Sequence, residues 1–235
     1  MSTALGKKTT GAAKQPARRR RTQEERSADT QHRLIDATIN ALHEHGYARI
    51  TTAEIAKRAG VSRGALMHHY TTKEDLVAVS VENLLRDSTA EIRSWLGEAR
   101  SGAMTLDDFL DNLWELYSGR LLFVTIEHIT EARHNRELRE RLIPVVRDFH
   151  KALDATWREF FQGASLSHAE VEVVLNATTC LFRGMGIQTV LRNDPAYYEG
   201  LLAHWKAHVR DLVALDTPRQ RSRGDRSRRS GNKQS

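Results

Sequence analysis

The chain has 235 residues, 40% of them apolar, with one cysteine, four prolines and a formal net charge of +6. That length can bury a real core in one large or two smaller domains, and the lone Cys180 excludes an internal disulfide framework and fits a reducing cytosol. Abundant Ala, Leu, Arg and Glu favour helix over sheet, and no apolar run approaches the ~18 residues of a membrane span, so an all-α, cytoplasmic protein without a membrane partner is expected.

The charge is unevenly spread. Residues 1–26 hold eight lysines and arginines against two acids, and residues 216–235 hold seven against two, which leaves the body from 27 to 215 at −5. Both ends lack periodic apolar residues and are rich in Gly, Ser, Gln, Lys and Arg, the composition of disordered basic tails. MSTALGKKTTGAAKQPARRRR has no apolar core of the kind a secretory signal requires. Such tails either hold phosphates electrostatically or simply keep the chain soluble.

The first apolar periodicity predicts a helix from Ala28 to His45, with Leu34, Ile35, Thr38, Ala41 and Leu42 on one face and Gly46 as its stop. Thr51 followed by Glu54 has capping-box spacing and predicts a short second helix over TTAEIAKRA. Gly60 supplies a tight turn, and Ser62 is a good N-cap for a third helix from Arg63 to Tyr70. Helix, glycine-containing turn and helix make a helix-turn-helix.

A long helix then starts near Lys73 and runs past Trp95, carrying Val77, Val81, Leu84, Leu85, Ile92, Trp95 and Leu96 at helical spacing. Further helices are predicted over 105–118, 120–133, 136–162, 167–192 and 195–215. Pro144 is expected to kink or divide the third of these, and Pro195 suits the first turn of the last.

On a helix of 3.6 residues per turn, Arg63, Gly64, Met67 and His68 share one face, whereas Leu66, His69 and Tyr70 lie away from it. The adjacent histidines therefore diverge by about 100° and make a poor metal pair; no metal site is expected. Arg63 can donate two hydrogen bonds to a guanine edge, and Gly64 lets a backbone approach. Thr51, Thr52 and Ser62 offer hydroxyls and helix N-terminal amides to phosphates, and Lys73 can reach a flanking phosphate. Each of these residues, taken alone, also suits an ordinary solvated helix surface.

Taken together, ITTAEIAKRAGVSRGALMHHYTTKEDL, residues 50 to 76, resembles the DNA-binding segment of the TetR/AcrR family of bacterial transcriptional repressors. Thr51, Ile55, Ala56, Ala59, Gly60, Val61, Ser62, Gly64, Leu66, His69, Lys73 and Leu76 match the family's usual pattern. The resemblance implies a helix-turn-helix domain over 27–76 that binds a double-stranded DNA operator. Its contact set would be Thr51, Thr52, Ser62, Arg63, Gly64, Met67, His68, His69, Tyr70 and Lys73. Two positions depart from the pattern. Met67 stands where tyrosine is common, which trades a phosphate hydrogen bond for a contact with a thymine methyl, and Tyr70 replaces phenylalanine, its ring packing against the first helix.

Residues 77–215 contain no H-E-x-x-H, no G-x-S-x-G and no phosphate loop, so neither catalysis nor a cofactor is expected. The resemblance implies instead a helical domain that binds a small-molecule effector of unstated identity and forms a homodimer. Candidate pocket residues are Trp114, Tyr117, Phe123, Glu127, Thr130, Trp157, Phe161 and Phe182, although most of the aromatics must be core. Candidate dimer residues on the last two helices are Leu181, Gly184, Gly186, Ile187, Leu191 and Trp205, the glycines allowing close helix approach. The reading is a ligand-responsive homodimeric regulator acting as a repressor; a non-regulated architectural DNA-binding protein that relies on its tails is the alternative.

Overall fold

A computed structural model describes residues 22–164 and 166–214; the basic tail expected at 216–235 lies outside these residues, as does the one expected at 1–26 except for its last five residues, 22–26. Among the described residues there are nine α-helices and no strand: α1 Gln23–His45, α2 Thr52–Ala59, α3 Arg63–His69, α4 Lys73–Ser101, α5 Leu106–Ser118, α6 Arg120–Ala132, α7 Arg136–Phe160, α8 His168–Gln188 and α9 Pro195–Ala214. The fold is all-α, a small helix-turn-helix unit followed by a larger helical body.

Side-chain caps define most of the helix starts. Thr51, Ser62, Thr72 and Asn135 each accept a backbone N–H three residues on, and Thr22, Thr105 and Ser167 complete reciprocal capping boxes. The Thr22 and Glu25 box starts α1 five residues before the predicted Ala28, so the inner end of the basic tail is helical. At α2 only half of the predicted box forms. Thr51 caps the Glu54 N–H, but the Glu54 carboxylate turns to Arg58 at 3.1 Å.

α4 packs along α7, and this pair forms the spine of the larger body. Trp95, Phe109, Trp157, Phe160 and Phe161 meet there with ring centroids 4.9 to 5.9 Å apart. Thr156 on α7 donates its hydroxyl to the Ile92 carbonyl of α4 at 3.1 Å, so the polar atom at the seam is satisfied. Pro144 does not divide α7. The helix continues through it because its flanking turns bury Leu142, Val145 and Phe149, and each such side chain contributes about 1.5 to 3 kcal/mol against the ~3 kcal/mol that an internal proline costs.

α8 ends at Gln188, earlier than the predicted 192, and Leu191 stands in the following turn at 94% exposure. Gly186 is buried against α5. A Cβ there would overlap the Tyr117 carbonyl oxygen and come within 2.6 Å of Leu122, so this glycine serves packing within one chain and not the dimer contact expected of it. Trp205 is likewise engaged internally, its indole N–H donating to Thr178 Oγ1 at 3.0 Å. Gly184, two residues away and so about 200° around the helix, faces open space.

Candidate nucleic-acid interface and effector cavity

The helix-turn-helix is held from three directions. Leu34, Leu42, Ile50, Ile55, Leu66 and Leu76 bury completely or nearly so between α1, α2, α3 and the start of α4. The turn itself is clamped by Arg33 of α1, whose guanidinium donates to the carbonyls of Ala59 and Gly60. Gly60 sits at φ +64, a left-handed conformation that also brings its backbone against Arg33. A second clamp joins the end of α1 to α2, with Arg58 bridging Glu44 at 2.8 Å and Glu54 at 3.1 Å. Neither arginine stands out by motif, because the contacts that join elements, Arg33 to the carbonyls of Ala59 and Gly60 and Arg58 to Glu44 of α1, run across the fold.

With the inner face so fixed, α3 presents the opposite one. Arg63, Gly64, Met67 and His68 are exposed, His69 is half-buried and Leu66 is buried. Met67 is 45% exposed, unusual for a large apolar side chain with no packing partner to shield it. Among the described residues Arg63 makes no hydrogen bond or ion pair, and a Cβ at Gly64 would meet only Ser62 Oγ at 3.8 Å. Thr51 and Ser62 are exposed and Thr52 half-buried at the starts of α2 and α3, so both helix N-termini are open to solvent.

Two residues of the expected contact set point elsewhere. Tyr70 is 6% exposed and belongs to the core, where burial pushes its phenol up from the ordinary tyrosine range; it supports α3 from beneath. Lys73 is half-buried, with Nζ donating to the Tyr47 carbonyl at 2.8 Å and lying 4.1 Å above the Tyr47 ring. Its charge is already engaged at the joint between α1 and α4. His68 and His69 pack edge to face at 5.4 Å, and no group of three or more His, Cys, Asp or Glu among the described residues converges to hold a metal ion.

The aromatic candidates for the effector pocket divide differently from the expectation. Tyr117, Trp157, Phe161 and Phe182 are all buried core, the last three 0 to 6% exposed, and line neither the cavity of about 740 Å³ nor that of about 960 Å³ described below. Sequence reasoning had chosen the largest side chains, which are the ones a core needs most. Trp114 stacks on Tyr198 at 6.1 Å beside a small cavity of about 300 Å³, and Phe123 lies 6.0 Å from His43 of α1. Glu127 and Thr130, by contrast, line a larger cavity.

That cavity, about 740 Å³, lies where the helix-turn-helix meets the larger body. One wall is Tyr47, Ala48, Thr71 and Thr72; the other is Glu127, His128, Glu131 and Leu138 of α6 and α7. Glu127 accepts the Tyr47 backbone N–H at 2.6 Å, and Tyr47 donates its hydroxyl to Glu74 at 2.9 Å. Burial and this bond to Glu74 push the Tyr47 phenol up to about 12. Arg141 of α7 reaches Asp75 at 3.3 Å and Glu82 at 2.9 Å on α4. A second cavity of about 960 Å³ opens between α7 and α8, with Leu142, Val146 and Leu175 in its floor and Arg139, Arg147 and Lys151 at its rim. Cys180 is exposed beside it.

Comparison with known proteins places these features in a family. Residues 34–79 match the family model described as bacterial regulatory proteins, tetR family. The chain is 29% identical over 181 residues to the HTH-type transcriptional regulator CymR of Pseudomonas putida, covering 77% of this chain and 89% of that one. It is 30% identical over 167 residues to the uncharacterized HTH-type transcriptional regulator Rv2912c of Mycobacterium tuberculosis, covering 71% and 86%. In fold it is similar to a TetR transcription regulator from Haloarcula marismortui, with TM-score 0.62 and 22% identity over 80% of this chain and 98% of the other.

Proposed function

The chain belongs to the TetR family of DNA-binding transcriptional regulators, and from that premise we propose that it is a homodimeric repressor released from a palindromic operator by a small-molecule effector. The observation that carries the DNA-binding surface is the division of α3, whose apolar side is buried and whose other side leaves Arg63, Met67 and His68 exposed to solvent. Buried Leu66 and Tyr70 hold the backbone still, so those side chains meet the major groove preorganised. Arg63 reads guanine, Met67 packs against a thymine methyl, and the α2 and α3 N-termini with Thr51 and Ser62 hold phosphates.

Dimerisation uses the outer faces of α8 and α9. Val173, Ala177, Cys180, Gly184, Ile187 and Leu191 recur at alternating steps of four and three residues and are all exposed, Val173 at 66% and Ile187 at 45%. Ala196, Gly200, Ala203 and Ala207 form a matching small-residue stripe on α9. Two such helix pairs from two copies bury each other as a four-helix bundle, and this is the most economical cover for an apolar stripe in water. The two recognition helices would then address half-sites ~34 to 36 Å apart or a multiple of that.

The effector site is the cavity at the junction. A ligand shifts an equilibrium only by binding one conformer better, and a ligand there touches both bodies whose relative position sets the spacing of α3 in the dimer. Footprinting of the full-length protein tests the reading: two protected half-sites related by a dyad are expected, and uniform protection of any sequence would overturn it.

A further inference from the structure

Resting on the assignment of the junction cavity as the effector site, we infer that its ligand is a protonated primary amine on an apolar body, held between the ring nitrogen of His128 and the carboxylates of α6 and α7. His128 is 3% exposed and lines the cavity. Its Nδ1 lies 2.7 Å from the Val124 carbonyl, an acceptor only, so Nδ1 carries the hydrogen there. Nε2 at the opposite side of the ring is buried and has no partner. Burial favours the uncharged ring, which leaves a lone pair on Nε2 that calls for a hydrogen-bond donor from outside the chain.

The charges around it select the donor. Glu74, Asp75, Glu127, Glu131 and Glu137 line the cavity, and the one arginine among its walls, Arg141, is already shared between Asp75 and Glu82. Glu74 and Glu127 are each occupied by Tyr47. Glu131 and Glu137 make no ion pair among the described residues, so uncompensated negative charge remains beside His128. A carboxylate or phosphate ligand would be repelled, whereas an ammonium is attracted by these carboxylates and has an N–H to give to Nε2. Val77, Ala78 and Leu138, 2 to 9% exposed, give the walls an apolar part that takes a hydrocarbon or aryl body. The geometry favours an organic cation over a metal ion, since no three ligating side chains among the described residues converge.

The full-length protein is titrated by calorimetry with 2-phenylethylammonium, with 2-phenylethanol as the uncharged isostere, with 3-phenylpropionate as the anion and with the N-trimethylated amine, which has no N–H to give. The ammonium is expected to bind about tenfold or more tightly than each of the other three, and Glu131→Gln or Glu137→Gln to weaken it about five- to tenfold. Both glutamates are exposed, so these variants keep the fold even where His128→Gln does not, and unchanged melting verifies this. No binding of the ammonium at millimolar concentration, equal binding of alcohol and amine, or unchanged affinity in both glutamate variants would overturn the proposal. Operator affinity measured in parallel separates the two readings. Binding of the amine that leaves DNA affinity untouched upholds the amine site and contradicts its role as the effector site.

Discussion

The Glu127 carboxylate accepts the backbone N–H of Tyr47 at 2.6 Å across 80 residues of sequence, and it is the shortest tie between α6 and the loop that follows α1. The loop is shaped for it. Gly46 sits at φ 72 and ψ 165, a region that side chains other than glycine's hardly enter, and a Cβ there would lie 2.7 Å from Glu127 Oε1. This contact ties the two bodies together, and both of its residues line the junction cavity.

Removal of the carboxylate should therefore be felt locally before it is felt globally. In Glu127→Ala the Tyr47 amide is expected to exchange with solvent about tenfold faster, while amides of the α4 and α7 spine keep their protection. Hydrogen exchange resolved at Tyr47 makes the check, and an unchanged Tyr47 rate would mean the tie carries no load.

Gly46→Ala should act on both bodies together. The strained backbone alone costs on the order of 1 to 3 kcal/mol, and the added methyl displaces Glu127 as well. A lowered denaturant midpoint and faster Tyr47 exchange are expected in one variant; a midpoint equal to wild type would show that the loop relaxes freely.

The two glycines of α8 should behave oppositely. Gly186→Ala forces a methyl into the Tyr117 backbone and is expected to destabilise the protomer by about 1 to 3 kcal/mol. Gly184→Leu meets open space within the chain and is expected to keep the melting transition of a folded protomer while weakening self-association in sedimentation. An intact dimer in Gly184→Leu would remove α8 from the interface.

The contrast marks what the sequence could and could not convey. The helix-turn-helix was legible because its signals are local: Thr51 and Ser62 as caps, Gly60 in its left-handed turn, and apolar residues at helical spacing on α1 and α3. Thr22 as the true start of α1 was missed because its capping box lies inside a charged run that reads as tail. Glycine spacing on α8 revealed close approach but not to what, since Gly186 meets α5 of its own chain. The cavity was least legible. Its walls come from five segments, its defining atom is an unpartnered ring nitrogen on His128, and neither property has a periodicity to read.

At the recognition helix, Arg63→Ala should cost specific binding by about 1 to 3 kcal/mol at one base position and leave the melting temperature unchanged, because Arg63 is exposed and unpaired in the described structure. Ser62→Ala removes the cap of the seven-residue α3, at a cost of about 1 kcal/mol, and is expected to weaken binding to all sequences alike. Competition binding against specific and scrambled duplexes distinguishes the two effects.

Selection of bound DNA from a random pool by the full-length protein, with footprinting of the enriched sequence, tests the central claim most directly. An inverted repeat with half-sites about one helical turn or a multiple apart is expected, with Arg63→Ala losing one position of each half-site. A pool that stays random, with protection smeared along every duplex, would contradict sequence-specific regulation and point to an architectural protein held by its basic tails.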